Sequence, residues 1–216
     1  MDHQPAHRPN RQLFYLLLVI ALLAFPSPVR AFEKTEIPPL ETFIAQVMNG
    51  NADELRGIYV SGVFADVITP QPVDDPTFVT SQSNALTQFG MASRHGSIGL
   101  LAHNYLAGSD FFLLEEGQLI YLIYGDGRTE TYIIRRFLRF QALTPQSTTS
   151  DFVDLETGEL LSASNLFHKV FQRKGDVVLQ TCIYADGNAS WGRLFIIAEP
   201  YEEHAPISMP IHLEFQ

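Results

Sequence analysis

Apolar positions follow three different patterns along this chain. Residues 13–25 form one uncharged apolar run of 13 residues. Leu40, Phe43, Ile44, Val47 and Met48 then recur at i, i+3, i+4, i+7 and i+8, the spacing of one face of a helix. Pro38-Pro39 before them and Gly50 after them are suitable boundaries, so the spacing predicts an amphipathic helix. From Gly57 onward the pattern becomes short apolar runs broken by turn residues. Residues 58–60, 64–68, 98–102, 118–124, 128–135, 177–182 and 192–198 read as strands. Gly125-Asp126-Gly127 between two of them is a hairpin signal. Pro70, Pro72 and Pro76 mark a loop, and residues 104–116 read as a loop with a helical turn. Residues 144–151 form a polar loop with Pro145, and 160–171 suit a helix in a long connection. Many short strands at near-regular spacing argue for an all-β antiparallel barrel or sandwich.

Composition sets the class. The 216 residues are 46% hydrophobic and 18% charged, enough apolar content for a real core in one domain. The formal net charge is −10, and the first 31 residues hold three arginines against one aspartate, so the remainder is more acidic still. An acidic domain repels phosphate backbones, which argues against nucleic acid as a partner. There is no internal repeat, no glycine-rich phosphate loop and no Cys/His cluster with zinc spacing. Glu115-Glu116 and Asp74-Asp75 are acidic pairs that read as solvated charges rather than a calcium site. Asn188-Ala189-Ser190 matches a glycosylation pattern too short to carry weight.

Residues 1–31 read as an export leader. Arg8 and Arg11 precede the apolar run, Pro26 and Pro28 follow it, and Val29-Arg30-Ala31 has small residues at the −3 and −1 positions of a cleavage site. The run is shorter than the ~20 residues a spanning helix needs, which favours cleavage after Ala31 over retention as a membrane anchor. Residues 32–52 are then a spacer and the amphipathic helix, and 53–216 the main domain. The expected location is outside the cytoplasm, secreted or held at the cell surface.

Cys182 is the only cysteine, so an exported chain has no internal disulfide to form. A lone cysteine at a strand end is ordinarily a buried structural residue. Two other residues change that reading. His103 follows an apolar run in Leu100-Leu101-Ala102-His103, and Arg193 opens the run Arg193 to Ala198. A thiolate is the active form of a cysteine nucleophile, a neighbouring imidazolium favours it and can protonate a departing amine, and a guanidinium can hold an oxyanion. Of the other histidines, His95 is the nearest rival, but it sits in the polar stretch Ala92-Ser93-Arg94-His95-Gly96. The second hairpin bears on the geometry. A two-residue turn at Gly187-Asn188 sets Arg193 opposite Cys182. A turn at Asp186-Gly187 sets Trp191 opposite Cys182, with Arg193 two residues along. Both leave Cys182 and Arg193 on one face, whereas an odd-numbered loop would separate them unless a bulge restored the phase.

The ordered set Ala102-His103, Leu179-Gln180-Thr181-Cys182 and Arg193-Leu194-Phe195-Ile196-Ile197-Ala198 resembles the sortases, cysteine transpeptidases of bacterial surfaces. Their pattern has a Gly-His after an apolar strand, a Thr-Leu-x-Thr-Cys strand end and an Arg-x-x-Val-x-Ala strand. Ala102, Val178 and Ile196 depart from it without removing a reactive group. The resemblance spans residues 57–198. It implies a closed antiparallel barrel of about eight strands, with short helices in the connections and an N-terminal helix. It implies His103, Cys182 and Arg193 as the catalytic residues, Thr181 and Trp191 in the substrate groove, and no cofactor or metal. The implied partners are an exported protein with a C-terminal sorting motif and an amine acceptor on the cell wall or another protein. Three alternatives stand beside it: a hydrolase that resolves the same acyl-enzyme with water, a sortase-fold module that binds peptides without cleaving them, and a barrel with a buried structural cysteine and no peptide partner.

Overall fold

A computed structural model describes residues 36–202. The expected leader, the first residues of the spacer and the tail beyond residue 202 lie outside the described residues. No helix among the described residues is long and apolar enough to cross a membrane.

The helical spacing near the start becomes α1, Leu40–Val47, which buries Phe43 and Val47. They pack on Tyr59 and Ile123. Gly57 permits this close approach, because a Cβ there would meet the Phe43 ring at 2.9 Å.

Among the described residues ten strands follow: β1 (Leu55–Val60), β2 (Phe64–Pro70), β3 (Ala85–Gln88), β4 (Ile98–Leu101), β5 (Leu119–Tyr124), β6 (Thr129–Ala142), β7 (Phe152–Asp154), β8 (Leu160–Leu161), β9 (Val177–Ala185) and β10 (Asn188–Pro200). Their order is β10-β9-β4-β3-β2-β1-β5-β6-β7-β8, and β10 also pairs with β6. That last pairing closes eight strands into a barrel, with β7 and β8 extending from β6. The 14-residue β6 makes closure feasible: it pairs with β5 through Thr129–Ile133, with β10 from Tyr132 to Gln141, and with β7 through Phe140–Ala142.

The barrel is mixed rather than wholly antiparallel. β2 pairs with β3 in parallel, and so does β4 with β9. Neither pair is joined by a hairpin. A crossover of residues 71–84 links the first pair, and more than seventy residues separate the second, so each later strand re-enters in the direction of its neighbour. The hairpin signals in the sequence report only adjacent antiparallel strands, which is why they missed these pairings.

Alternation divides each strand between two layers. Ile58, Leu86, Leu100, Leu122, Ile134, Leu179, Leu194 and Ile196 fill the barrel. The opposite faces of β6, β9 and β10 contribute Phe140, Val178, Phe195 and Ile197 to an outer core, covered by α3 (Ala163–Phe171) through Leu166, Val170 and Phe171. A five-residue α2 (Gly90–Arg94) places Ala92 in the same layer. Ser162 caps α3 by accepting the Asn165 N–H at 3.2 Å. Lys169 ties its last turn to Asp154 (3.2 Å) and Glu159 (2.8 Å).

Candidate active site

The β9–β10 hairpin turns at Asp186-Gly187, both at positive φ (51° and 74°), as a right-twisted two-residue hairpin requires. Ala185 accordingly pairs with Asn188. A regular ladder would continue with Ser190 opposite Ile183. A bulge intervenes instead, so that Gly192 pairs with Ile183 and Arg193 with Cys182. Two extra residues on β10 separate the turn from the Arg193 pairing, and Asn188 Oδ1 accepts the Ser190 N–H at 2.9 Å within them. The turn is thus that of one hairpin expectation and the pairing that of the other, with the bulge shifting the register between them. Trp191 lies in the bulge, partly exposed, and is not opposite Cys182.

On the other side of β9, the parallel ladder with β4 runs from Ile98↔Val177 to Leu101↔Gln180. The Ala102 N–H extends it by donating to Gln180 O at 3.1 Å. One more step along this register sets His103 level with Cys182. The chain then leaves the sheet: the His103 carbonyl accepts from the N–H groups of Leu106 and Gly108, each at 3.0 Å, and a 3₁₀ segment, Ala107–Leu113, follows. Arg193 is thus paired with Cys182 on one side of β9, and His103 follows the end of the β4 ladder on the other.

Cys182 shares its strand face with Val178 and Gln180. Val178 belongs to the outer core, so Cys182 and Arg193 face outward from the barrel, and the thiol is partly exposed. Thr181 faces the other way. It is 2% exposed, and its hydroxyl donates to Ala102 O at 2.9 Å. The expectation that Thr181 lines the groove is corrected accordingly: strand alternation turns it inward, where it clamps the segment before His103 to β9.

Arg193 Nη1 donates to Ser190 O and Gly192 O, both at 2.9 Å, and Nη2 reaches Pro145 O at 3.5 Å. Both Nη1 protons and one Nη2 proton are thus committed to backbone, leaving Nε and the second Nη2 proton as donors for a ligand. The His103 ring stacks on Tyr105, with centroids 5.1 Å apart and planes at 18°. Asn104 Nδ2 donates to Ala189 O at 2.9 Å. Neither Asn104 nor Tyr105 was singled out from the sequence. Both adjoin His103, but nothing in the chain's pattern links them to β10.

A groove of about 310 Å³ runs along this outer face. Leu101, Gln180, Arg193 and Phe195 form its floor, α3 supplies Leu166, Phe167 and Phe171 as one wall, and Thr77 also lines it; Phe89 packs against that wall, its ring 6.3 Å from Phe167 and 5.4 Å from Phe171. Ser147 and Thr148 from the 144–151 loop rim it. Arg193 is the only charged side chain among its lining residues. A larger hollow of about 440 Å³, beside Leu114, Phe137 and Arg139, holds none of the candidate residues.

His95 lies at the other end of β4, edge-on to Phe167 at 5.1 Å. Asp74, Asp75, Glu115 and Glu116 are all exposed, and no group of three or more metal-ligating side chains occurs among the described residues. Beneath the 3₁₀ segment, Asp66 on β2 is 3% exposed and its Oδ2 has no hydrogen-bond partner. Burial, with the charge of Asp110 adding to it, pushes this carboxyl up to about 7.

No protein-family model matches the chain, and no curated protein does. Solved structures do. Sortase A of Listeria monocytogenes is 12% identical, with a TM-score of 0.44 over 71% of this chain and 89% of that one. Sortase C1 of Streptococcus suis is 11% identical, with a TM-score of 0.47 over 77% and 80%. The sortase D5 transpeptidase of Clostridium perfringens is 15% identical, with a TM-score of 0.41 over 75% and 87%. The solved structures to which this chain is similar include sortases of the A, C and D classes.

Proposed function

We propose that this protein is a sortase-like cysteine transpeptidase acting outside the cytoplasm on another exported protein. The observation that carries the reading is the double register of β9: Arg193 pairs with Cys182 on one side, and the β4 ladder leads to His103 on the other. The outward groove floored by Gln180 and Arg193 supports it, offering an apolar trough and an amide to an extended peptide.

In this reading the Cys182 thiolate attacks a backbone carbonyl of a sorting motif. A C–S bond forms, and the oxyanion is met by Nε and Nη2 of Arg193. His103 gives its proton to the departing amine as the C–N bond breaks, leaving a thioacyl-enzyme. An acceptor amine then attacks the thioester. A new C–N bond forms, the C–S bond breaks, and the amine's proton passes to His103.

The test is to incubate residues 32–216 with a peptide library and read acyl-enzyme by mass. Wild type is expected to gain an acyl mass at Cys182, and an added amine to convert it to a ligated product. Cys182→Ala is expected to fold, because the thiol is partly exposed, and to form no adduct. Release by water alone would favour the hydrolase, and peptide affinity retained in Cys182→Ala without any wild-type adduct would favour the binding module. Full turnover in Cys182→Ala would overturn the mechanism.

A further inference from the structure

His103 and Arg193 are carried by segments with no strand ladder in common. His103 stands beyond the end of β4, and Arg193 follows the bulge of β10. One side chain spans the gap. Asn104 Nδ2 donates to Ala189 O at 2.9 Å. The next carbonyl, Ser190 O, accepts from Arg193 Nη1 at 2.9 Å, and the Ser190 N–H is held by Asn188 Oδ1. A continuous path therefore runs from His103 through Asn104, Ala189 and Ser190 to Arg193. The carbonyls it uses belong to the residues of the β10 bulge.

We propose that Asn104 is a positioning residue, which sets the separation of His103 and Arg193 across Cys182 by tying the His103 segment to the β10 bulge. This rests on the reading of those three residues as a catalytic set. The bond is exposed, so its loss leaves the fold intact and acts on geometry, to which rates are far more sensitive than stability is.

Asn104→Asp keeps the side-chain shape but removes the donor and turns an oxygen toward Ala189 O. It is expected to lower kcat about ten-fold, with the peptide KM and the melting temperature unchanged. Combined with Arg193→Lys, it is expected to cost less than the product of the two single losses, because both act on one unit. An unchanged kcat, or a change confined to KM, would overturn the proposal. A wild type that forms no acyl-enzyme would sink the transpeptidase reading by itself. The positioning role is then decided by NMR: Asn104→Ala is expected to move the Arg193 Nε–H resonance, and an unmoved signal would overturn it.

Discussion

Arg193 already holds two carbonyls of its own backbone with Nη1, so what it offers a substrate depends on the rest of its fork. A lysine has one nitrogen and cannot hold Ser190 and Gly192 while reaching a bound carbonyl. We expect Arg193→Lys to lower kcat about 100-fold or more, the scale of losing an oxyanion donor, measured in single-turnover acylation. Asp66 leads to a prediction about pH. Its carboxyl titrates near 7 when folded, against 3.8 as its ordinary value. The folded state therefore holds a proton that the unfolded state releases, and stability attributable to Asp66 is fully present below about pH 4 and lost as pH rises to about 7. Asp66→Asn stays neutral throughout. The stability difference between variant and wild type is expected to shift in the variant's favour across that window by up to ~4 kcal/mol, measured by urea denaturation at each pH. A difference flat in pH would show that Asp66 is ionised in the folded protein.

The 3₁₀ segment and α3 each act on the candidate site through packing. At Gly108 an added Cβ would collide with the Thr181 hydroxyl and approach His103 O at 2.8 Å and Ala102 O at 2.9 Å. Backbone and a buried side chain cannot yield cheaply, so the His103 segment must move. Gly108→Ala is expected to lower kcat more than ten-fold and to cost ~1–3 kcal/mol of stability, seen by kinetics and thermal melts together. α3 forms a groove wall and is tied down at its C-terminal end by Lys169. Lys169 is one-third exposed while Asp154 is nearly buried, and Asp154 also accepts the N–H groups of Glu156 and Thr157. Lys169→Met is therefore expected to cost only ~1 kcal/mol but to loosen the wall, raising the peptide KM several-fold with kcat unchanged.

Closure through β6 and β10 joins the two layers into one structure. Phe140 lies where they meet: it pairs with Arg193 across the ladder, is fully buried and packs edge-on to Phe195 at 5.8 Å. Phe140→Ala removes a large side chain from the outer core and is expected to cost ~3–5 kcal/mol, measured by equilibrium denaturation. Since the groove floor shares this layer through Phe195, peptide binding should weaken along with stability.

What the chain's own pattern could carry was local. Leu40 to Met48 showed a helix because a 3.6-residue repeat is written in neighbouring residues. Gly125-Asp126-Gly127 showed a hairpin because φ > 0 demands particular residues at a turn. Cys182 and Arg193 were legible as sharing a face because only a short hairpin separates them. The mixed barrel was not legible, since the parallel pairs β2–β3 and β4–β9 join strands that no turn connects. The inward orientation of Thr181 followed from alternation only once Val178 was known to face α3. The bulge that brings Arg193 opposite Cys182 is held by an Asn188–Ser190 hydrogen bond, and the Asn104–Ala189 contact spans 85 residues. Such contacts depend on which strands close the barrel, a matter of burying one large apolar interior, and no spacing along the chain encodes them.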